Sequence, residues 1–356
     1  MKKITPTLLY PISIAYGIVL YIRNKFYDWS LFKSKKFDLP VISVGNLALG
    51  GTGKTPHTEY LIRLLQDRFN LTTLSRGYKR KTKGFYLAQN NTTVSEIGDE
   101  PLQYKIKFNK INVAVDEKRV HGVEQILKKA SQTNLIILDD AFQHRAISPG
   151  MNILITEYSN LYVDDYVIPS GRLREWKSGS ERANIIIVSK TPSDLTQTDR
   201  EKIKKRLNPT PHQKVFFSYI KYGNLFPFSK SAKNFEKKNL SKNSILLVTG
   251  IAKPLPLLNS LEQEYSKINH LQFSDHHNYL QKDIDLIIKN FKAINGNNKF
   301  IISTEKDIMR LSLPEISNQL QDIPIFYIPI EICFHGNDKI EFDEQIIKYA
   351  TKNQRN

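Results

Sequence analysis

Cysteine is almost missing: the chain of 356 residues carries one, Cys333. That excludes a disulfide framework, leaves no pair for a zinc site and fits a reducing compartment. Acidic residues are also short, with 35 Asp and Glu against 52 Lys and Arg, for a formal net charge of +17. Such an excess favours anionic partners: nucleic acid, an acidic membrane surface or phosphorylated substrates. Nucleic acid drops out on what else is lacking. The lysines are spread rather than blocked, and neither an RNA-binding aromatic motif nor zinc-finger spacing occurs. There is no internal repeat, and nothing demands an obligatory protein partner.

No apolar run at the N-terminus reaches the ~20 residues of a full membrane span. The run that does occur, "TLLYPISIAYGIVLYI" (7–22), lies between Lys2 and Lys3 on one side and Arg23 and Lys25 on the other. No small-residue cleavage site follows it, which argues against a cleaved signal peptide. Tyr10, Tyr16, Tyr21, Tyr27 and Trp29 suit a headgroup interface. The expectation for 1–30 is a membrane-inserted or interfacial helix that keeps the rest of the chain on the cytoplasmic side. The alternative is a helix docked on the protein's own core.

Beyond residue 40 short β-rich runs alternate with helical patterns, the signature of a parallel sheet with crossover helices. "VISVG" (41–45), "LTTLS" (71–75), "INVAV" (111–115), "NLIILD" (134–139), "NILIT" (152–156) and "NIIIVS" (184–189) read as strands. "KVFFSYIKYG" (214–223) reads as an isolated strand, and the polar, lysine-rich 229–242 as a solvated linker or hairpin loop. A second series follows: strands at 244–250, 270–275, 299–304 and 323–332, helices near 255–265 and over 284–294, and a last helix at about 343–354. The predicted class is α/β: a P-loop NTPase-type parallel-sheet domain over 31–214, a β-stranded linker over 215–242 and a smaller α/β domain over 243–356.

The strand 41–45 empties into Ala48, Leu49, Gly50, Gly51, Thr52, Gly53, Lys54 and Thr55, and a helical pattern follows. P-loops read G-x-x-x-x-G-K-[ST], and only the first position departs, with Ala48 for glycine. Small residues let backbone N–H groups converge on phosphate oxygens at a helix N-terminus. Lys54 can neutralise the β- and γ-phosphates, and Thr55 can ligate Mg²⁺. Pro56 fits the first helical turn, where its missing N–H costs nothing. A metal-side acid is expected at the end of a buried strand, and "NLIILDDAFQH" (134–144) offers Asp139 and Asp140, either of which could contact the ion. The [NT]-K-x-D element of GTPases is missing. "TEKD" (304–307) comes near, but Glu305 stands in the lysine's slot, so ATP is the expected nucleotide.

Together these residues resemble the tetraacyldisaccharide 4′-kinases, the lipid A 4′-kinases of Gram-negative bacteria. "SVGNLALGGTGKTP", "LSRGYKR" (74–80), "IGDEP" (97–101), "DDAFQH" (139–144), "PSGRLRE" (169–175), "VTGIAKP" (248–254), "FSDHH" (273–277) and "TEKD" match family signatures in order through most of the chain. Ala48 belongs to that likeness, since the family's loop also lacks the first glycine; Ala141 stands where the family often has glycine. The resemblance implies transfer of the γ-phosphate of ATP, with Mg²⁺, to the 4′-hydroxyl of a tetraacyldisaccharide 1-phosphate, the lipid A precursor, giving lipid IVA. It also implies two α/β domains with the active site in the cleft between them.

Read alone, Asp99 in "GDEP" suits a helix N-cap; the resemblance makes it the base that takes the acceptor's proton. His276 in "SDHH" then becomes its partner, with His277 the fallback. Arg76, Arg172 and Arg174 are candidates for phosphate contacts, on ATP or on the substrate's 1-phosphate, and Gln143 in "DDAFQH" joins them on the substrate side. Two other readings predict different behaviour. A soluble P-loop kinase of small metabolites would not need residues 1–30, and an ATP-driven switch would hydrolyse ATP without a phosphoacceptor.

Overall fold

The structure, a computed structural model, describes residues 6–235, 244–275, 277–296 and 298–352. It divides into two compact units, one formed by residues up to Ile220 together with Ile332 onward, the other by Lys221–Glu331. In chain order the strands are β1 (Val41–Gly45), β2 (Leu71–Ser75), β3 (Tyr86–Leu87), β4 (Asn112–Val115), β5 (Leu135–Asp139), β6 (Met151–Glu157), β7 (Ile185–Ser189) and β8 (Lys214–Tyr222). They continue as β9 (Phe226–Pro227), β10 (Ser244–Thr249), β11 (Lys267–Gln272), β12 (Lys299–Thr304), β13 (Ile325–Ile328) and β14 (Ile330–Phe334).

The first unit holds the nine-stranded sheet β14-β8-β7-β6-β1-β5-β2-β4-β3. From β8 to β4 its neighbours run parallel, and β3 joins β4 antiparallel. Strands β1, β2, β5 and β7 are buried along their whole length, as a parallel sheet covered on both faces requires. Alternation sends neighbouring side chains to opposite faces: Ile42 and Val44 pack with Leu61, Ile62 and Leu65 of the helix Lys54–Leu65, while Val41 and Leu138 pack with Val123 and Ile126 of the helix Arg119–Lys129. The second unit holds the sheet β11-β10-β12-β13-β9, parallel except for β9.

The boundary differs from the expected one at both ends. The strand expected at 214–223 is not isolated: β8 pairs with β7 in the first sheet. The run 323–332 is not one strand either. Pro329, which has no N–H for a ladder, separates β13 in the second sheet from β14 in the first. The last helix, Asp338–Lys352, was expected in the second domain and belongs to the first unit. Its stripe of Phe342, Ile346 and Ala350 completes the core around Ile42 and Val44, and Tyr349 Oη bridges Val41 N and O at 3.2 and 3.1 Å. The lysine-rich run opens with a short helix, Lys230–Lys233, and from 236 to 243 lies outside the described residues.

Near the N-terminus one helix, Pro6–Asp28, covers the apolar run and continues past it. No helix among the described residues is long and apolar enough to cross a membrane, so the inserted reading is not borne out as a span. The helix meets the body through a narrow stripe. Ser13 Oγ donates to Ser170 Oγ at 2.8 Å and Asn24 Nδ2 to Glu175 Oε2 at 2.7 Å. Between them Gly17 lies so close to the Trp176 indole that a Cβ would stand 2.6 Å from its ring.

Candidate active site

The site begins where β1, between β5 and β6 at mid-sheet, empties into the loop 46–53. Gly50 and Gly53 take φ of 105° and 92°, the left-handed region that a side chain opposes. Asn46, fully buried, fixes the turn: its Nδ2 donates to Ala48 O at 2.7 Å and to Thr52 Oγ1 at 2.9 Å, and its Oδ1 accepts from Lys54 Nζ at 3.3 Å. The loop's entry is pinned by "GRLR": Arg174 N donates to Leu47 O and Leu49 N to Arg172 O, both at 2.7 Å. The helix then starts at Lys54, so its N-terminal N–H groups and dipole meet whatever anion the loop holds.

β5 lies beside β1 with Asp139 in register with Val44. Asp139 is 1% exposed and accepts from Tyr104 Oη at 3.0 Å and Thr58 Oγ1 at 3.3 Å. Burial, reinforced by the negative charge of Glu100 and Asp140, pushes its carboxyl up to about 7. Asp140, next in sequence, takes φ 49° and turns the other way. Burial would raise its carboxyl too, but Lys54 and Arg174 outweigh it and hold the group below the ordinary carboxylate value. Arg174 Nη1 reaches both Asp140 oxygens at 3.0 and 3.1 Å, and Lys54 Nζ stands 3.6 Å from Oδ1. Two adjacent aspartates are thus differentiated, one buried among hydroxyls, the other in a cationic clamp.

Two residues not singled out in the sequence stand here as well. Glu100 accepts from Thr55 Oγ1 at 3.0 Å, and its signal was its place beside Asp99 at a helix start. Arg119 is 2% exposed and donates from Nη1 to Asp116 O at 2.6 Å, while its Nε and Nη2 have no hydrogen-bond partner among the described residues. Burial lowers its guanidinium to about 10, against the attraction of Asp140 and Asp139. A buried cation with donors to spare, in range of those aspartates, suits an anion. Nothing in its sequence neighbourhood marked it.

Asp99 opens the helix Asp99–Lys107, but the cap position belongs to Gly98 at φ 90°, which corrects the N-cap reading. Arg76 is exposed just past the end of β2, in electrostatic range of Arg119 and of His144. Arg172 and Gln143 are engaged by the scaffold: Arg172 Nε donates to Asp165 Oδ2 at 2.9 Å, and Gln143 Nε2 to Asn46 O at 2.9 Å and Glu175 Oε1 at 3.1 Å. His276 lies outside the described residues. His277, in the second unit, pairs with Asp283 Oδ2 at 2.9 Å and stacks on Phe273 at 4.7 Å, anchoring the start of the helix Gln281–Ala293.

A strand–glycine loop–helix carrying Lys54 and Thr55, with paired acids at the end of the adjacent strand, defines a P-loop protein of the NTPase type. The tetraacyldisaccharide-1-P 4′-kinase family matches residues 5–350. The chain belongs to that family and is a kinase. It is 46% identical over 351 residues to the tetraacyldisaccharide 4′-kinase of Phocaeicola vulgatus, covering 98% of this chain and 96% of that protein. It is also 46% identical to the enzyme of the same name from Bacteroides thetaiotaomicron, over 98% of this chain and 94% of the other. Among solved structures it resembles LpxK of Aquifex aeolicus, crystallised in complex with ATP, with a TM-score of 0.73 and 25% identity over 97% of this chain and 99% of that one.

Proposed function

We propose that this kinase transfers the γ-phosphate of ATP to the 4′-hydroxyl of a tetraacyldisaccharide 1-phosphate, giving lipid IVA, at the cytoplasmic face of the inner membrane. The observation that carries the reading is the phosphate loop facing three carboxylates, in a chain that the family matches nearly end to end. Thr55, Asp139, Asp140 and Glu100 offer oxygen donors alone, the chemistry of a hard divalent ion. Among the described residues no cluster of three or more ligating side chains is preassembled for a metal. That suits Mg²⁺, which takes one or two carboxylates and completes its shell with phosphate oxygens and water. When bound, Mg²⁺ neutralises charge on the β- and γ-phosphates.

The chain's own residues divide the remaining work. Lys54 moves from Asp140 and Asn46 onto the phosphates. Arg174 keeps Asp140 ionised and aimed. Asp99, half-buried at the first turn of its helix, takes the proton of the sugar hydroxyl. Arg119 and Arg76 receive phosphate charge, and Gln143 and Arg172 shape the substrate side.

The membrane address rests on the inverted N-terminal helix. Ser13 and Gly17 face the body, while Ile12, Ile14, Ile18, Val19 and Ile22 are exposed with Tyr10, Tyr16 and Tyr21. An apolar face of that width turned outward marks an interfacial helix, and Arg23 and Lys25 suit an anionic leaflet. Beside it Ile18, Tyr21, Trp176, Lys177 and Ser178 line a groove of about 500 Å³, where an acyl chain could leave the bilayer with its headgroup. The test is phosphotransfer from labelled ATP to a disaccharide-1-phosphate lipid, with Lys54→Ala and Asp99→Asn alongside. Labelled lipid is expected with wild type alone. Its absence with wild type defeats the substrate assignment, and full activity of Asp99→Asn defeats the assigned base.

A further inference from the structure

Three consecutive carbonyls of the phosphate loop are held from behind by side chains that no role above uses. Gly51 O accepts from Lys190 Nζ. Thr52 O accepts from Ser189 Oγ at 2.7 Å. Gly53 O accepts from the His57 ring at Nδ1, 2.7 Å away. Ser189 ends β7, and Lys190 follows at φ 56°, a left-handed turn that carries its side chain over the loop. His57 lies one turn into the helix that the loop opens, 2% exposed, and its other nitrogen, Nε2, lies 2.9 Å from Ser218 Oγ on β8.

The chemistry of these contacts fixes their direction. A carbonyl only accepts, so Nδ1 carries the proton and Nε2 accepts from the Ser218 hydroxyl. Both ring nitrogens are engaged in this tautomer, and the ring is buried. In a trans peptide the C=O of one residue and the N–H of the next point in opposite directions. Holding Thr52 O and Gly53 O therefore turns the N–H groups of Gly53 and Lys54 to the other side of the loop. The N–H of Thr52, opposite Gly51 O, closes on Gly50 O at 3.1 Å. The loop is thus set before any anion arrives, and preorganisation of this kind lowers the cost of binding.

We infer that His57 is a positioning residue of the phosphate loop: with Ser189 and Lys190 it braces three successive carbonyls so that the Gly53 and Lys54 N–H groups already face the side where the nucleotide's phosphates bind. The inference rests on the loop's binding ATP, so ATP affinity of the full-length wild-type chain is measured first by calorimetry in detergent; no binding there defeats that reading and not the brace. His57→Phe keeps an aromatic ring and removes both polar contacts. It is expected to weaken ATP about tenfold, the loss of one buried hydrogen bond, while KM for the lipid acceptor stays put. His57→Asn restores a donor near the Nδ1 position and is expected to recover most of that loss. Ser189→Ala, which frees Thr52 O and alters packing little, is expected to weaken ATP several-fold. Wild-type ATP affinity in a folded His57→Phe overturns the inference. So do equal losses in His57→Phe and His57→Asn that track melting temperature. If His57→Phe does not fold, unchanged affinity in Ser189→Ala overturns it.

Discussion

Replacing Tyr104 by Phe removes one hydroxyl from the deepest part of the site. The Tyr104 ring is fully buried, and its Oη donates to Asp139 Oδ2 at 3.0 Å. Burial, Glu100 and Asp140 already lift the Asp139 carboxyl to about 7, and the tyrosine hydrogen bond opposes that rise because it favours the ionised form. A hydrogen bond to a charged group contributes about 1.5–3 kcal/mol, and about 1.4 kcal/mol corresponds to one pKa unit. Tyr104→Phe is therefore expected to raise the Asp139 carboxyl by about one to two further units. The ring stays, so little volume is lost. If Asp139 serves the metal as a carboxylate, kcat/KM for ATP follows its ionised fraction in the free enzyme, and the acid limb of the profile moves to higher pH by the same amount. Stability carries the matching sign. A carboxyl with a folded pKa above its unfolded value stabilises the fold below the unfolded value, and that contribution is lost as pH rises through the folded one. Wild type should thus lose stability as pH rises from about 4 through about 7. The assay is kcat/KM for ATP from about pH 5 to 9 at saturating acceptor and Mg²⁺, beside denaturant melts over the same range. An acid limb that coincides in wild type and Tyr104→Phe, at equal plateau, refutes the assignment of Asp139.

Arg174→Lys keeps the charge but not the fork that reaches both Asp140 oxygens. It is expected to lower kcat/KM about tenfold in steady-state assays, and Arg174→Ala further. Gly17→Val puts a side chain where a Cβ already stands 2.6 Å from Trp176; lifting the N-terminal helix should raise KM for the lipid acceptor and weaken flotation with anionic vesicles, with ATP affinity intact. Tyr349→Phe breaks the bridge to Val41 N and O and is expected to cost about 1 kcal/mol in urea unfolding, with kinase activity retained.

The strand runs were legible because parallel strands buried on both faces are written as short apolar blocks: 71–75 and 299–304 match β2 and β12 residue for residue. The loop was legible because glycine, lysine and threonine are constrained by one task. What escaped depends on contacts that leave no local pattern. β8 and β14 read as an isolated strand and as part of one closing strand because sheet membership is decided by partners, β7 for β8 and, for β14, β8 more than a hundred residues away. Arg119 and His57 have no motif of their own: each is placed by burial or by a partner far off in sequence, as Ser218 is for His57. The N-terminal helix was legible as a helix. Its inside-out polarity required seeing that Ser13 and Gly17, and not the isoleucines, face the body.

β8 and β14 are neighbours in one sheet, and all that separates them in sequence, from Gly223 to Pro329, belongs to the second unit. During synthesis the first unit therefore waits. Its edge strand and the helix whose Phe342, Ile346 and Ala350 seal the core beside β1 leave the ribosome after the second unit is complete. Until they arrive, that face of the core is open to water, and the ends of the unit must be joined across a long loop. A stop codon placed just before Asp338 would spare the second unit and strike the first, which carries the phosphate loop. Loss of the helix Asp338–Lys352 would thus open the core beneath β1, the strand that feeds the phosphate loop and is made among the earliest.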